Sequence, residues 1–328
     1  MTGEGEGAVE LSVVVTTRER AQGCRQLVRA VREQCAAAAL AYEIVLVFDG
    51  CEPYGWVEDG DPDLRTVVLP EQVGIARARN TGIGESRGQL LAFLDDDCVP
   101  AGTWLAELRR LSRAHPAKSA FGGPVIGTDS VNLYAQLRDA VYYYETFGSW
   151  YVTAAAGADV MGAPYVNGGN SAYRREAITR AGGFDALLPA YSDVELGRRM
   201  RLQQHAVLSP GMAIHHDHPS AFRAYMLRCW RSGKARALLW AHRGYPQDRP
   251  SAVARAVVSN IVWNNAVHRR RRVIAPPTRV VAVLLCQEVV HGFGYAYALL
   301  GCLAGGGRRV RAGSVPATGL GVAPGAPQ

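Results

Sequence analysis

The sequence predicts an α/β protein with a mostly parallel central sheet flanked by helices and a helical C-terminal extension. Three observations predict it. Over the first third of the chain, short continuous apolar runs alternate with longer helix-patterned stretches, the signature of parallel strands buried on both faces. Carboxylates stand where two of those runs end, at Asp49 and at Asp95-Asp96-Asp97. In open α/β sheets the carboxyl ends of the strands are where ligands sit. Finally, 48% hydrophobic and 20% charged residues in 328 supply a sizeable core and argue against wholesale disorder.

Taken in order, Leu11 to Thr17 is a β-rich run, followed by the polar turn Arg18-Glu19-Arg20. An Ala/Leu/Val-patterned helix covers about 21 to 38. Glu43 to Phe48 is a second buried strand, ending at Asp49-Gly50-Cys51, and Leu64 to Leu69 a third, stopped by Pro70. Gly74 to Arg87 reads as a helix and leads into the strand that ends in the aspartate triplet. The stretch from about 120 to 220 is less regular. Ser220 to His242 is helical with interleaved basic and apolar residues, and Val280 to Gly301 is a final apolar stretch. The chain thus divides into a flexible N-terminus (1–10), an α/β domain (11–222), a helical region (223–304) and a disordered Gly/Pro/Ala tail (305–328).

A net charge of +7 favours an anionic partner: a phosphorylated substrate, a membrane surface or nucleic acid. No nucleic-acid-binding module is recognisable. Seven scattered cysteines without a CxxC pair argue against a disulfide framework or a zinc site, and suggest a reducing compartment. The Gly/Glu-rich start lacks a basic segment and an apolar core, so it is not read as a signal peptide. The expected location is cytoplasmic, with the inner face of the plasma membrane as an option.

Three adjacent aspartates resist full ionisation unless a cation or several donors neutralise them, and oxygen ligands suit Mg²⁺ or Mn²⁺. The alternative is an acidic helix start, with Pro100 in the first turn and Asp97 as a cap.

Several motifs in order resemble family 2 glycosyltransferases of the GT-A fold. They are Val13-Val14-Val15-Thr16-Thr17-Arg18, Val47-Phe48-Asp49-Gly50-Cys51, Gly74-Ile75-Ala76-Arg77-Ala78-Arg79-Asn80-Thr81-Gly82 and Phe93-Leu94-Asp95-Asp96-Asp97. Asn167-Gly168-Gly169-Asn170-Ser171-Ala172, Ala181-Gly182-Gly183-Phe184-Asp185 and Ser192-Asp193-Val194-Glu195-Leu196 continue the series. Phe48 replaces the first aspartate of the family's nucleoside turn, and Ser192 the glutamate before its catalytic base.

The resemblance implies transfer of one sugar from a nucleotide-diphosphate donor (UDP-, GDP- or dTDP-sugar) to an acceptor hydroxyl, with a divalent cation, by single inverting displacement. It implies Asp193 as the base, Asp97 and His216 as metal ligands, and Thr17, Asp49, Arg79, Asp95, Asp96 and Asn170 as donor-binding residues. On the residues alone each has a plainer reading. Asp193 is a helix cap, Glu195 pairs with Arg198 or Arg199, Arg79 is a solvated helix arginine, and the histidines of 215–218 belong to a loop. The Gln-x-x-Arg-Trp motif of processive synthases is absent, which favours a single transfer. The acceptor is left open: a glycan, a lipid-linked, small-molecule or peptide acceptor. Tyr142-Tyr143-Tyr144 and Trp150-Tyr151 are candidate sugar-stacking aromatics or core.

Val280 to Gly301 is long enough to span a bilayer. Glu288 and His291 lie in its middle, and a central acidic residue disfavours insertion by roughly 2.5–3.5 kcal/mol. A helix packed on the catalytic domain or lying on a membrane is therefore expected rather than a span. Arg269 to Arg272 and Arg308, Arg309 and Arg311 would attract anionic lipid. Two other functional classes compete: nucleotidyl transfer, and a catalytically silent basic scaffold for polyanions.

Overall fold

The computed structural model describes residues 9–58, 60–129, 131–138, 158–218, 220–270 and 277–304. The aromatic cluster of 142–151, the N-terminus to 8 and the tail from 305 lie outside the described residues. The opening βα alternation forms as expected. Strand β1 is Leu11–Thr17, helix α1 Ala21–Ala37, β2 Tyr42–Asp49, β3 Leu64–Leu69, α2 Ile75–Glu85 and β4 Leu90–Asp95. β3, β2, β1 and β4 are neighbours in that order and all parallel. Thr17, Asp49 and Asp95 therefore reach the same edge of the sheet.

The acidic-helix-start alternative does not survive. After the triplet the chain forms a short strand, β5 (Cys98–Pro100), and α3 begins only at Trp104 and runs to Ala114. The "irregular" middle in fact completes the sheet. β6 (Ala120–Gly122), β8 (Val160–Met161), β9 (Asn170–Arg174) and β10 (Ala206–Leu208) extend it on the far side of β4, in the order β4-β9-β6-β10-β8. β9 runs antiparallel to both β4 and β6. Its N-terminal end, carrying the Gly168-Gly169 loop, thus lies beside the C-terminal end of β4. A second small sheet joins β5 to β11 (Ile214–His216) and β7 (Val125–Gly127). In it His216 sits opposite Cys98, next to the aspartates.

Two apolar layers cover the main sheet. One packs α1 and α3 through Leu27, Val31, Trp104 and Leu108, and the other packs α2 and the 178–208 region through Ile83, Ile178, Phe184 and Leu196. Short helices α4 (Arg175–Arg180), α5 (Ser192–Arg199) and α6 (Leu202–His205) follow β9. Three long helices close the chain: α7 (Phe222–Arg243), α8 (Pro250–Arg270) and α9 (Pro277–Ala304). α7 and α9 approach closely where Gly233 faces the His291 carbonyl and Gly294 the Trp230 carbonyl; a methyl group at either position would collide with that backbone.

Asn170 is a correction to the sequence reading. It does not reach the donor side of the sheet edge, being wholly buried. Its Oδ1 accepts from Trp104 Nε1 (2.9 Å), and its Nδ2 donates to the carbonyls of Pro124 (3.1 Å) and Met212 (2.8 Å). The carboxamide ties the two sheets together. Asn170→Ala is expected to destabilise the fold by roughly 1–3 kcal/mol for each buried polar group it strands. Chemical denaturation checks this: a variant as stable as the wild type would remove the structural role.

Candidate active site

At the sheet edge the three aspartates diverge, because successive residues leaving a strand point to different sides. Asp95 accepts from Arg79 Nη2 at 2.7 Å. Arg79 is buried, not solvated, and its guanidinium lies 5.4 Å from the Phe184 ring centroid. Burial by itself would raise the Asp95 carboxyl, but Arg79, His216 and Arg228 hold it below its ordinary value.

Asp96 turns inward. It accepts from Thr17 Oγ1 (2.8 Å), the Arg18 backbone N–H (3.3 Å) and Arg20 Nη1 (3.1 Å), and Thr17 Oγ1 also bonds the Tyr54 hydroxyl at 2.8 Å. Thr17 and Asp96 thus hold the β1–α1 turn rather than present free groups to a ligand. Burial raises the Asp96 carboxyl, only partly offset by Thr17 and Arg20.

Asp97 pairs with Arg20 Nη1 and lies 3.2 Å from His216 Nε2. Burial, then the charge of Asp95, push its carboxyl up to about 6, against the pull of Arg20. Burial, with Arg228, Arg138 and Arg20 nearby, lowers His216 to about 4 despite the attraction of Asp95, so its imidazole is neutral near pH 7. The ligand atoms of Asp97, His216 and Cys98 lie within 4.8 Å of one another. Burial raises the Cys98 thiol well above its ordinary value, so it stays protonated. A carboxylate beside a neutral imidazole, with no thiolate, fits Mn²⁺ or Mg²⁺ better than a soft metal.

Asp49 does not face open space. Its oxygens accept from the backbone N–H groups of Val73 (2.7 Å) and Gly74 (3.1 Å), at the start of α2. Gly50, at φ 72°, packs against Gln72, where a side chain would collide with backbone.

The Asn167–Asn170 turn lies directly over the Arg79–Asp95 pair. A Cβ on Gly169 would come within 2.4 Å of Asp95 Oδ2, and one on Gly168 within 2.5 Å of Arg79 Nη1. The Gly168 N–H donates to Asp193 Oδ2 at 2.9 Å. Asp193 is therefore not a helix cap. It stands in the first turn of α5, behind Tyr191, which adopts the left-handed φ of 61° unusual for a bulky residue. One glycine turn joins the Asp193 carboxylate to the Asp95 carboxylate. The neighbouring Glu195 is fully buried and pairs with Arg199 (2.7 Å), as the helical spacing implied; Arg198 instead pairs with Asp248 (2.6 Å).

Residues 12–181 match Glycosyl transferase family 2. The chain belongs to this family. A pre-mycofactocin glycosyltransferase of Mycobacterium tuberculosis is 26% identical over 253 residues, 71% of this chain and 48% of that protein. The chain thus spans about half the length of that relative. The glucosyl-dolichyl phosphate glucuronosyltransferase of Haloferax volcanii is 24% identical over 318 residues, 89% of this chain and 97% of that protein. In fold, the mannosyltransferase PcManGT of Pyrobaculum calidifontis, solved with GDP-Man and Mn2+, superimposes over 94% of this chain and 77% of its own. The TM-score is 0.50 at 19% identity, and the shared architecture is GT-A.

Among the described residues, this family 2 site also holds groups the sequence reading did not single out. Arg20 bridges Asp96 and Asp97, Tyr54 anchors the β1–α1 turn through the Arg20 N–H (2.8 Å), and Arg138 and Arg228 add positive charge around His216. The only sequence signal for Arg20 was its place in a polar turn at a strand end. Nothing in the local pattern of 138 or 228 points to the site.

Proposed function

We propose that the protein is a metal-dependent inverting glycosyltransferase, moving one sugar from a nucleotide-diphosphate donor to an acceptor hydroxyl. The observation that carries it is the Asp193–Gly168 bond, which holds a carboxylate next to the strand-end aspartates across a single glycine turn. In this reading Asp97 and His216 hold the divalent cation. When bound, the ion supplies positive charge to the departing diphosphate.

The chain's own groups do the rest. Arg79 keeps Asp95 ionised and fixed at the donor side. Arg20, paired with Asp97, and Arg228, near His216, would supply positive charge to a diphosphate bound at that edge. Asp193, steadied by the Gly168 N–H, accepts the acceptor proton as the hydroxyl attacks the anomeric carbon opposite the leaving group. One carboxylate acting on one face gives inversion. Thr17 and Asp96 act by holding the β1–α1 turn, and Asp49 by holding the backbone at the start of α2.

Family membership favours sugar transfer over the nucleotidyltransferase and polyanion-scaffold readings. Of the acceptor classes, a lipid-linked one is supported by the Haloferax relative, whose substrate is a dolichyl phosphate sugar by name. With such an acceptor the reaction would take place at a membrane surface, in keeping with the inner face of the plasma membrane expected from the sequence.

The test is incubation with UDP-, GDP- and dTDP-sugars, with and without Mn²⁺ or Mg²⁺, followed by the nucleotide product. One donor is expected to bind with metal and to release nucleoside diphosphate. Pyrophosphate release would support nucleotidyl transfer, and no donor binding under any condition would overturn the proposal.

A further inference from the structure

The site leaves the outer face of α9 unexplained. Among the described residues this is the one helix long and apolar enough to cross a membrane, and only 33% of its most apolar window is buried. Its central acid and amide are engaged by the neighbouring helices. Glu288 is buried, with Asn260 of α8 at 3.5 Å and Gln287 beside it, and Gln287 itself accepts from Tyr225 of α7. His291 is half-buried, and its backbone carbonyl faces Gly233 of α7.

What remains outside is apolar. Leu285, Val289, Phe293, Tyr297, Leu300 and Leu303 are 49–70% exposed, at successive spacings of four and three residues, and so form one stripe. A stripe of this length in water marks an interaction surface.

Charge and aromatic chemistry identify the occupant. The sequence enters α9 from Arg269–Arg272, the first turn carries exposed Arg279, and exposed Arg231 stands on α7. At the edge of the stripe Tyr297 stacks near Trp230 (5.5 Å), and Lys234 Nζ lies 5.7 Å from the Tyr297 ring centroid. Trp and Tyr rings flanked by Lys and Arg are what a helix presents at the headgroup level of an anionic bilayer. A second protein copy would leave that positive charge uncompensated.

We propose that α9 docks the protein in the plane of an anionic membrane, its apolar stripe buried at the headgroup–acyl boundary. A span is disfavoured because α9 is held along α7, a helix carrying Arg223, Arg228, Arg231, Lys234, Arg236 and Arg243. The proposal deepens the membrane-proximal reading above and names the surface that serves it.

The test is flotation of the full chain with phosphatidylcholine vesicles, with and without phosphatidylglycerol, in the absence of any sugar donor. The wild type is expected to float with the anionic vesicles and to be released by a carbonate wash. The triple variant Val289→Glu/Phe293→Glu/Leu300→Glu changes only exposed positions. It should bind at least about tenfold more weakly while keeping its unfolding midpoint. Wild type that ignores vesicles, or a variant that floats equally well, overturns the dock. Retention after the wash overturns the in-plane geometry. A wild-type dimer that the variant dissociates, without vesicle binding, assigns the stripe to a second copy instead. Vesicle binding without sugar transfer would leave the dock standing and sink only the catalytic reading.

Discussion

Asp193→Asn is expected to lower turnover by roughly 10²–10⁴-fold while leaving donor affinity nearly unchanged. The amide oxygen can still accept from the Gly168 N–H, so the glycine turn over Arg79 and Asp95 keeps its place. What the amide cannot do is take a proton from the acceptor hydroxyl. Transfer measured beside donor titration separates the two. A variant retaining more than about a tenth of wild-type turnover would exclude Asp193 as the base. One that loses donor binding as well would make it a structural residue.

The second large effect is at Asp97. Asp97→Ala removes a carboxylate paired with Arg20 and adjacent to His216, and is expected to abolish metal-dependent donor binding. It should not unfold the protein, since Thr17 and Arg20 still hold Asp96. The wild type should also show a pH signature. A proton and a cation compete for the same carboxylate, and Asp97, pushed up to about 6, is half protonated near that pH. Mn²⁺ affinity is therefore steady above about 7 and falls, by on the order of tenfold per pH unit, as pH drops below 6. His216, lowered to about 4, adds its own loss only further down. Calorimetric Mn²⁺ titrations across that range measure the profile, and an affinity independent of pH between 5 and 7 would exclude Asp97 as a ligand.

Strands β1 to β4 were legible because each is an unbroken apolar run closed by a polar turn, and their shared C-terminal edge follows from parallel pairing alone. β6, β9 and β10 were not, because runs as short as three residues carry no periodicity of their own and exist through their neighbours. At the site, sequence identified which side chains stand at the edge but not which way their oxygens face. Asp49 and Asn170 look alike as candidate ligand groups, yet backbone donors engage the first, and an indole and two carbonyls consume the second. Arg20 escaped notice because its partners lie more than seventy residues downstream. In the sequence Glu288 argues against a span; what sequence did not show is that its side chain faces α8 and leaves the outer face of the helix apolar.

The ion pairs around α5 have a mechanical consequence. Glu195, two residues from Asp193, is gripped by Arg199 and lies 3.6 Å from Arg243 of α7, which also holds Asp185. Arg198 and Arg236 close on the buried Asp248 between α7 and α8. Breaking one member of such a buried set typically costs 3–5 kcal/mol, so α5 and α7 are firmly tied together. In the proposed mechanism, the tilt at which the C-terminal helices rest on a surface would then also set the tilt at which the Asp193 carboxylate meets an incoming hydroxyl. Reach and angle of attack become properties of the whole molecule's posture rather than of a flexible loop.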